Sequence, residues 1–310
     1  GLEKAIQRLW DQSDELVDQG FGFIILSDRK ADANNIPIPS LLACSTVHHH
    51  LVWEKTRTKT ALVIETAEAR EVMHFALLFG YGASAINPYG AFASIYELVK
   101  QGRCQGVSNY FDAENNYIKA ISNGLLKVLS KLGISTLRSY HGAQTFEAIG
   151  LSEEVAHNHF TGTTSRIGGL GFKEIAQEAI RQHKIAYTIR PEFLPSEGVY
   201  QYRKDGEKHA WNPETIYLLQ WAVRTNDCEK FKEFSNLVNA QNQRPHVIRG
   251  LLDFVPRESI PLSKVEPVAN IIKRFTTGAM SFGSLGKVAH ETIAIAMNKI
   301  GGRSNSGEGG

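Results

Sequence analysis

Two glycine-rich stretches near the end of the chain hold the residues best suited to chemistry. The first runs Phe275-Thr276-Thr277-Gly278-Ala279-Met280-Ser281-Phe282-Gly283-Ser284-Leu285-Gly286, and the second Gly301-Gly302-Arg303-Ser304-Asn305-Ser306-Gly307-Glu308-Gly309-Gly310. Small residues let the main chain come close to a bound group. Ser281, Ser304, Asn305 and the single carboxylate Glu308 add polar atoms among the glycines. A loop of this kind suits an anionic cofactor beside a polar substrate. The pattern reads as a strand, a glycine-rich turn, a helix over 287–300 and a second turn, with Ser284 as N-cap and Gly301 just past the helix end.

Other clusters carry weaker chemical signals. Adjacent histidines His48-His49-His50 project roughly 100° apart on a helix and do not chelate one ion as an i, i+4 pair does. No metal site is predicted, and one or two of them are expected to hydrogen-bond within the domain. Glu65, Glu68, Arg70, Glu71 and His74 gather at a strand end and helix start, where acids suit the helix dipole. Gly162 and Gly168-Gly169-Leu170-Gly171 could hold phosphate at a helix N-terminus. Neither a P-loop lysine–serine pair nor Rossmann spacing accompanies them. Cys44, Cys104 and Cys228 lie far apart without CxxC spacing, so disulfide, zinc and iron–sulfur roles within the chain are not expected. Isolated cysteines of this kind fit a reducing compartment.

The elements that must position these residues alternate. Helical spacing covers 2–19, and the apolar run Phe21-Gly22-Phe23-Ile24-Ile25-Leu26 predicts a strand buried on both faces. Pro37 and Pro39 open a helix to about Trp53. A second buried strand covers 60–64, a helix 68–79 and a third strand 83–87. Helices over 92–100 and 114–132 and a fourth strand at 134–137 follow. Strands separated by such helices indicate a parallel sheet with helices outside it, and its ligand side is where the strands end. Asp28, Glu65 and Asn87 share that side. Beyond residue 138 the pattern loosens into turns, with a helix at 152–159 capped by Ser152, a loop at 161–165 and a helix at 173–183. Tyr200-Gln201-Tyr202 suggests a small hairpin within a long connection. Pro213 and Asp227 start helices running to Val223 and Val238. An irregular linker over 244–264 leads to a short helix at 267–273.

Composition narrows the class. The chain has 310 residues, a formal net charge of +2 and 42% hydrophobic residues. Length and apolar content allow one large domain or two ordinary ones. No basic face suggests nucleic-acid binding. No apolar stretch approaches the ~20 residues of a membrane-spanning helix. The first residues are helical and charged rather than a signal sequence, so a cytoplasmic location is expected, or plastid stroma in a photosynthetic eukaryote.

The two terminal stretches, joined through Ala289-His290-Glu291 and Ala294-Ile295-Ala296-Met297-Asn298, closely resemble the glutamate synthase large-chain family. Earlier segments are similar too: Ile24-Ile25-Leu26-Ser27-Asp28-Arg29, Pro37-Ile38-Pro39-Ser40-Leu41-Leu42, Val47-His48-His49-His50-Leu51 and Gly80-Tyr81-Gly82-Ala83 with Ile86-Asn87-Pro88-Tyr89. Lys127–Ser135 and Phe160-Thr161-Gly162 add to these, while Met73, Cys44-Ser45-Thr46 and His141 depart from the family's usual residues. The resemblance implies an α/β chain of parallel strand–helix units. Residues 1–150 would be the later part of an incomplete, (β/α) barrel-like central domain, 151–265 a connecting region, and 266–310 the first βα unit of an FMN-binding TIM-type barrel.

It also implies an oxidoreductase that makes glutamate from 2-oxoglutarate and glutamine-derived ammonia. The parent enzyme would use FMN and a 3Fe-4S cluster, with electrons from ferredoxin or an NAD(P)H-oxidising small subunit. An amidotransferase domain and the rest of the FMN domain would belong to the same polypeptide. By resemblance, Ala279, Met280, Ser281 and Ser304 would lie at the flavin, Glu308 would act where ammonia meets the keto acid, and other parts would form tunnel wall. The cluster ligands are not in this sequence. Two further readings stay open: a scaffold that binds no flavin alone, and a flavodoxin-like module, which explains the alternating elements but not the terminal motif.

Overall fold

The computed structural model describes residues 1–107, 109–189 and 197–307. The chain forms two compact units, Gly1–Pro195 and Ser196–Gly310.

In the first unit, α1 (Leu2–Asp18), β1 (Phe23–Ser27), α2 (Ser40–Trp53), β2 (Ala61–Glu65), α3 (Val72–Gly80), β3 (Ala85–Asn87), α4 (Tyr89–Lys100) and α5 (Tyr110–Lys131) follow one another. The strands make a parallel sheet in the order β1-β2-β3. The predicted parallel α/β organisation is therefore present, and no closed barrel forms among the described residues. Side chains alternate across a strand. Ile24, Leu62 and Ile64 are buried against the helices, with Val47 and Leu51 of α2 and Val17 of α1 in the cluster formed with Ile24 and Leu62. A second cluster joins Cys44, Ile64, Ala69, Phe75, Leu78 and Ala83.

The expected burial of both sheet faces is not met. Phe23 and Ile25, on the other face of β1, are 71% and 63% exposed. Helices cover only one side of this sheet among the described residues.

The next elements are α6 (Leu137–Tyr140), β4 (Glu147–Leu151), α7 (Glu153–His159), β5 (Thr164–Leu170) and α8 (Phe172–Lys184). Residues 134–137 are not the fourth strand. Thr136 instead caps α6 by accepting the Ser139 N–H. Gly168 and Gly169, part of the stretch that could hold phosphate at a helix N-terminus, lie in strand β5, which pairs in parallel with β4. A Cβ on Gly169 would stand 2.5 Å from Gly150 O, so glycine there permits strand contact. Ser152 caps α7 as expected, accepting from Val155 N.

In the second unit, α9 (Pro213–Thr225) and α10 (Cys228–Ala240) pack as a helical pair, followed by α11 (Val268–Ile272) and α12 (Lys287–Ile300). Pro213 occupies the first turn of α9 and Asp227 caps α10, both as the sequence indicates. Residues 197–212 form turns and bends rather than a hairpin of strands. No helix among the described residues is long and apolar enough to cross a membrane.

Candidate functional site

The loops flanking α12 are set side by side by the main chain. Thr276 and Arg303 form a parallel bridge. Arg303 N donates to Phe275 O at 3.0 Å and Thr277 N donates to Arg303 O at 3.1 Å. Met280 N reaches Asn305 O at 3.3 Å, and Asn305 N donates to Thr277 Oγ1 at 3.0 Å. Two extended segments therefore run parallel with α12 between them, as the strand–turn–helix reading requires. The glycine-rich loops lie at their carboxyl ends, the side where parallel α/β units carry ligands.

Gly307 shows why these loops need small residues. It has φ +66°, and a Cβ there would stand 3.0 Å from Ala279 Cβ. His290 on α12 holds the first loop from below, its Nε2 lying 3.2 Å from Met280 O. Ser284 is not the N-cap of α12. That position is Gly286, because the Ser284 hydroxyl turns back to donate to Ser281 O at 2.9 Å. Gly301 ends the helix in the left-handed conformation as expected.

Ala279 and Met280 thus stand against 305–307. Ser281 is held in its own turn, and exposed Ser304 lies in the bridging segment between Arg303 and Asn305. Glu308 lies outside the described residues. Sequence reading passed over Thr277, His290 and Asn305 as the groups that fix the loop geometry. The Thr-Thr-Gly and Ser-Asn-Ser triplets around two of them were the available signal.

The second candidate is the carboxyl edge of the three-stranded sheet. Ser27, Glu65 and Asn87 pair in one row. Glu65 accepts from Ser27 Oγ at 2.6 Å, Arg29 Nε at 2.6 Å and Asn87 Nδ2 at 3.3 Å. The Ser27 and Arg29 bonds hold its carboxyl below the usual range. Asp28 accepts from Thr66 Oγ1 at 2.6 Å, Tyr89 OH at 2.5 Å and Ala67 N. Burial and then the bond to Asp28 push the Tyr89 phenol up, and the Arg29 guanidinium sits 4.1 Å from its ring centre. Sequence reasoning put Asp28, Glu65 and Asn87 on one side, and the structure brings them together. Glu68 accepts the Ser40 N–H at 2.7 Å and so serves the start of α2. Its neighbour His74 takes the Arg70 and Glu71 N–H groups on Nδ1. These are capping roles.

The three histidines of α2 each have a separate partner. Arg57 Nε donates to His48 Nδ1 at 2.9 Å, which leaves the proton of the neutral ring on Nε2. His49 Nδ1 lies 2.8 Å from Ser45 O. His50 Nε2 donates to Asp14 Oδ2 at 2.8 Å while its ring stacks on Trp10. Burial, His49 and Arg57 lower the His48 pKa to about 3. Burial pushes the Cys44 thiol up to about 12. Among the described residues no group of three or more His, Cys, Asp or Glu could hold a metal ion.

Comparison with known proteins bears on the whole chain. The family profile described as glutamate synthase central domain matches residues 1–152, and that described as a conserved region in glutamate synthase matches 209–310. The NADPH glutamate synthase large chain of Bacillus subtilis is 47% identical over 100% of this chain and 20% of its own length. The NADH glutamate synthase of Schizosaccharomyces pombe is 44% identical over 100% of this chain and 15% of its own. The ferredoxin-dependent glutamate synthase of Pyropia yezoensis is 42% identical over 100% and 21%. The chain thus spans about a fifth or less of the length of these relatives.

Proposed function

The chain belongs to the glutamate synthase family, and on that premise we propose that it serves an enzyme forming glutamate from 2-oxoglutarate and glutamine-derived ammonia. The observation that carries the reading is the parallel Thr276–Arg303 bridge, with loops 278–281 and 305–307 side by side at its carboxyl end. The relatives' names divide among NADPH, NADH and ferredoxin as electron donors, and this chain's own residues favour none of them.

The loop residues fit one side of a flat, anionic cofactor such as FMN. Gly278 has open space where a side chain would be, Ala279 is exposed, and the Ser304 hydroxyl faces solvent. Ala279, Met280, Ser281 and Ser304 would hold the group, with small residues permitting close approach. FMN, when bound, supplies the hydride chemistry. The chain's contribution is to position the reactants and keep water away. Glu308 would hold or move a proton at the incoming nitrogen, work that needs hydrogen-bond reach. The described residues do not fit an iron–sulfur cluster: Cys44 is buried, the three cysteines lie far apart in sequence, and among the described residues no group of three or more His, Cys, Asp or Glu could hold a metal ion. A 3Fe-4S cluster would be held elsewhere in the longer polypeptide. Residues of the first unit would contribute tunnel wall.

One observation favours a second reading for the chain by itself, as a scaffold that binds no flavin. None of residues 268–307 is fully buried, so this βα unit does not enclose a ligand. An FMN fluorescence titration of the purified chain separates the two: micromolar binding sinks the scaffold reading, and no binding at millimolar FMN sinks self-sufficiency. The function itself is tested in the full-length polypeptide by flavin content and by glutamine-dependent glutamate formation with each donor. No glutamate with any donor overturns the proposal. Glu308→Ala is expected to lower the glutamine-coupled rate on the order of 100-fold, and an unchanged rate removes the role given to Glu308.

A further inference from the structure

Both main-chain groups of Met280 are engaged. Its N–H donates to Asn305 O at 3.3 Å, and its carbonyl lies 3.2 Å from His290 Nε2 on α12. A carbonyl only accepts, so Nε2 carries the proton of the neutral ring and donates it. The half-buried imidazole is also packed, edge to face against Phe282 with ring centres 6.0 Å apart. His290 N donates to Gly286 O at 3.1 Å, which ties the residue to the start of the helix.

The consequence falls on the next peptide. The 280–281 bond is trans, and in a planar trans peptide the C=O and N–H point in opposite directions. Drawing the Met280 carbonyl onto α12 therefore turns the Ser281 N–H away from the helix, to the open side of the loop. That N–H meets no acceptor among the described residues. The other polar groups of Ser281 are taken: its hydroxyl accepts the Ser284 N–H at 3.3 Å, and its carbonyl accepts the Ser284 hydroxyl at 2.9 Å. Exposed Gly278 and Ala279, just before it, leave room for a ligand to approach. The same peptide turned over would present a carbonyl oxygen there, so its orientation decides whether an electron-rich group is attracted or repelled.

We propose that His290 is a positioning residue for the flavin: its bond to Met280 O sets the 280–281 peptide so that the Ser281 N–H donates to the bound ring. The inference rests on the FMN reading above and adds to it a residue that does not itself touch the cofactor. A fixed donor is worth more to a ring that has gained electrons than to one that has not. His290 thereby raises the midpoint potential of the bound flavin, which packing against Phe282 alone would not do.

The test uses the full-length polypeptide, its flavin content, and the flavin midpoint potential read by spectroelectrochemistry. His290→Leu keeps bulk against Phe282 and removes the donor. His290→Asn keeps a polar side chain whose amide is too short to reach Met280 O, and repeats the leucine arm should that variant not fold. His290→Gln keeps an N–H close to where Nε2 stands. The leucine and asparagine variants are expected to disfavour reduced against oxidised FMN by roughly tenfold, a potential lower by about 30 mV for a two-electron couple. The glutamine variant should stay close to the unaltered polypeptide. Unchanged potentials in the leucine and asparagine variants, with flavin retained, overturn the role of His290 and leave the FMN reading standing. An equal fall in all three variants also overturns it, because the donor would then not be what matters. No flavin in the unaltered polypeptide overturns the FMN reading and this inference with it.

Discussion

Replacing Gly82 by alanine should unlatch the first unit, and the size of the effect can be built from the geometry. Gly82 has φ +105°, a conformation rarely adopted by residues with a side chain. A Cβ there would lie 2.2 Å from His48 Nδ1 and 2.4 Å from His48 Cγ, so the imidazole itself must move. That nitrogen accepts from Arg57 Nε, and the same guanidinium donates to Thr60 O at 2.6 Å and Gly82 O at 2.8 Å. One arginine thereby ties α2 to the start of β2 and to the turn between α3 and β3. Backbone strain at such a φ costs about 1–3 kcal/mol, and losing one charge-assisted bond costs about 1.5–3 kcal/mol more. The sum, roughly 3–6 kcal/mol, is a large part of an ordinary domain's stability.

Gly20→Ala is the control. Gly20 also has positive φ, at +82°, but nothing lies within 4 Å of its absent Cβ. It should cost only the backbone share. Urea unfolding is followed by tryptophan fluorescence with Trp211 and Trp221 replaced by phenylalanine, so that Trp10 and Trp53 report on the first unit. At a slope of about 2 kcal/mol per molar, Gly82→Ala should lower the midpoint by roughly 1.5–3 M, with a clearly smaller fall for Gly20→Ala. Adding Arg57→Met to Gly82→Ala should cost less than Arg57→Met alone, because the two share a bond. Equal midpoints for the two glycine variants, or full additivity with Arg57→Met, would refute the latch.

Further outcomes follow from the same geometry. Burial lowers the pKa values of His48, His49, His141 and His159, so these rings stay neutral in the folded chain at a pH where the unfolded chain takes up protons. Stability should therefore fall as pH drops below about 6.5, by up to ~1.4 kcal/mol per pH unit for each such histidine. For His48 the loss continues towards pH 3, and urea midpoints that stay level between pH 7.5 and 5 would contradict it. Thiol alkylation at pH 8 followed by mass spectrometry should modify exposed Cys228 first and buried Cys44 last, since Cys44 is wholly enclosed with its thiol pushed up to about 12. Rapid labelling of Cys44 in the folded chain would show that α2 opens readily. Gly307→Val should weaken flavin retention in the full-length polypeptide, because a branched side chain cannot fit where a Cβ alone comes within 3.0 Å of Ala279 Cβ; undiminished flavin content would break the link between loop contact and binding.

The sequence made the helices legible where caps and spacing agreed. Residues 2–19 became α1, Pro37 and Pro39 preceded α2, and Pro213 and Asp227 opened α9 and α10. Strands were legible only as continuous apolar runs. β4 and β5 are glycine-bearing and lack alternation, and their pairing is decided by each other rather than by local preference. Residues 134–137 show the reverse error: they read as a fourth strand, although the Thr136 side chain caps a helix. For the terminal loops, resemblance identified the motif, but the contact of Met280 with Asn305 depends on a bridge across 27 residues that no local pattern reveals.

Position at a strand end does not by itself make a site, and the two candidates show what does. At the β1–β3 edge, a ligand taking hold of Asp28 would have to displace Tyr89, Thr66 or the Ala67 amide, and at Glu65 it would displace Ser27, Arg29 or Asn87. Each displaced group would then need a new partner, which costs about as much as the incoming bond returns. That row is a clasp across three strands. Around 278–281 and 304–307 the long-range bonds are mostly main-chain, and they fix where the loops lie while the Ser304 hydroxyl has no hydrogen-bond partner among the described residues. A ligand there gains contacts without breaking any that hold the fold. Both ends carry polar residues in sequence, and the difference lies in which polar atoms the fold has already used.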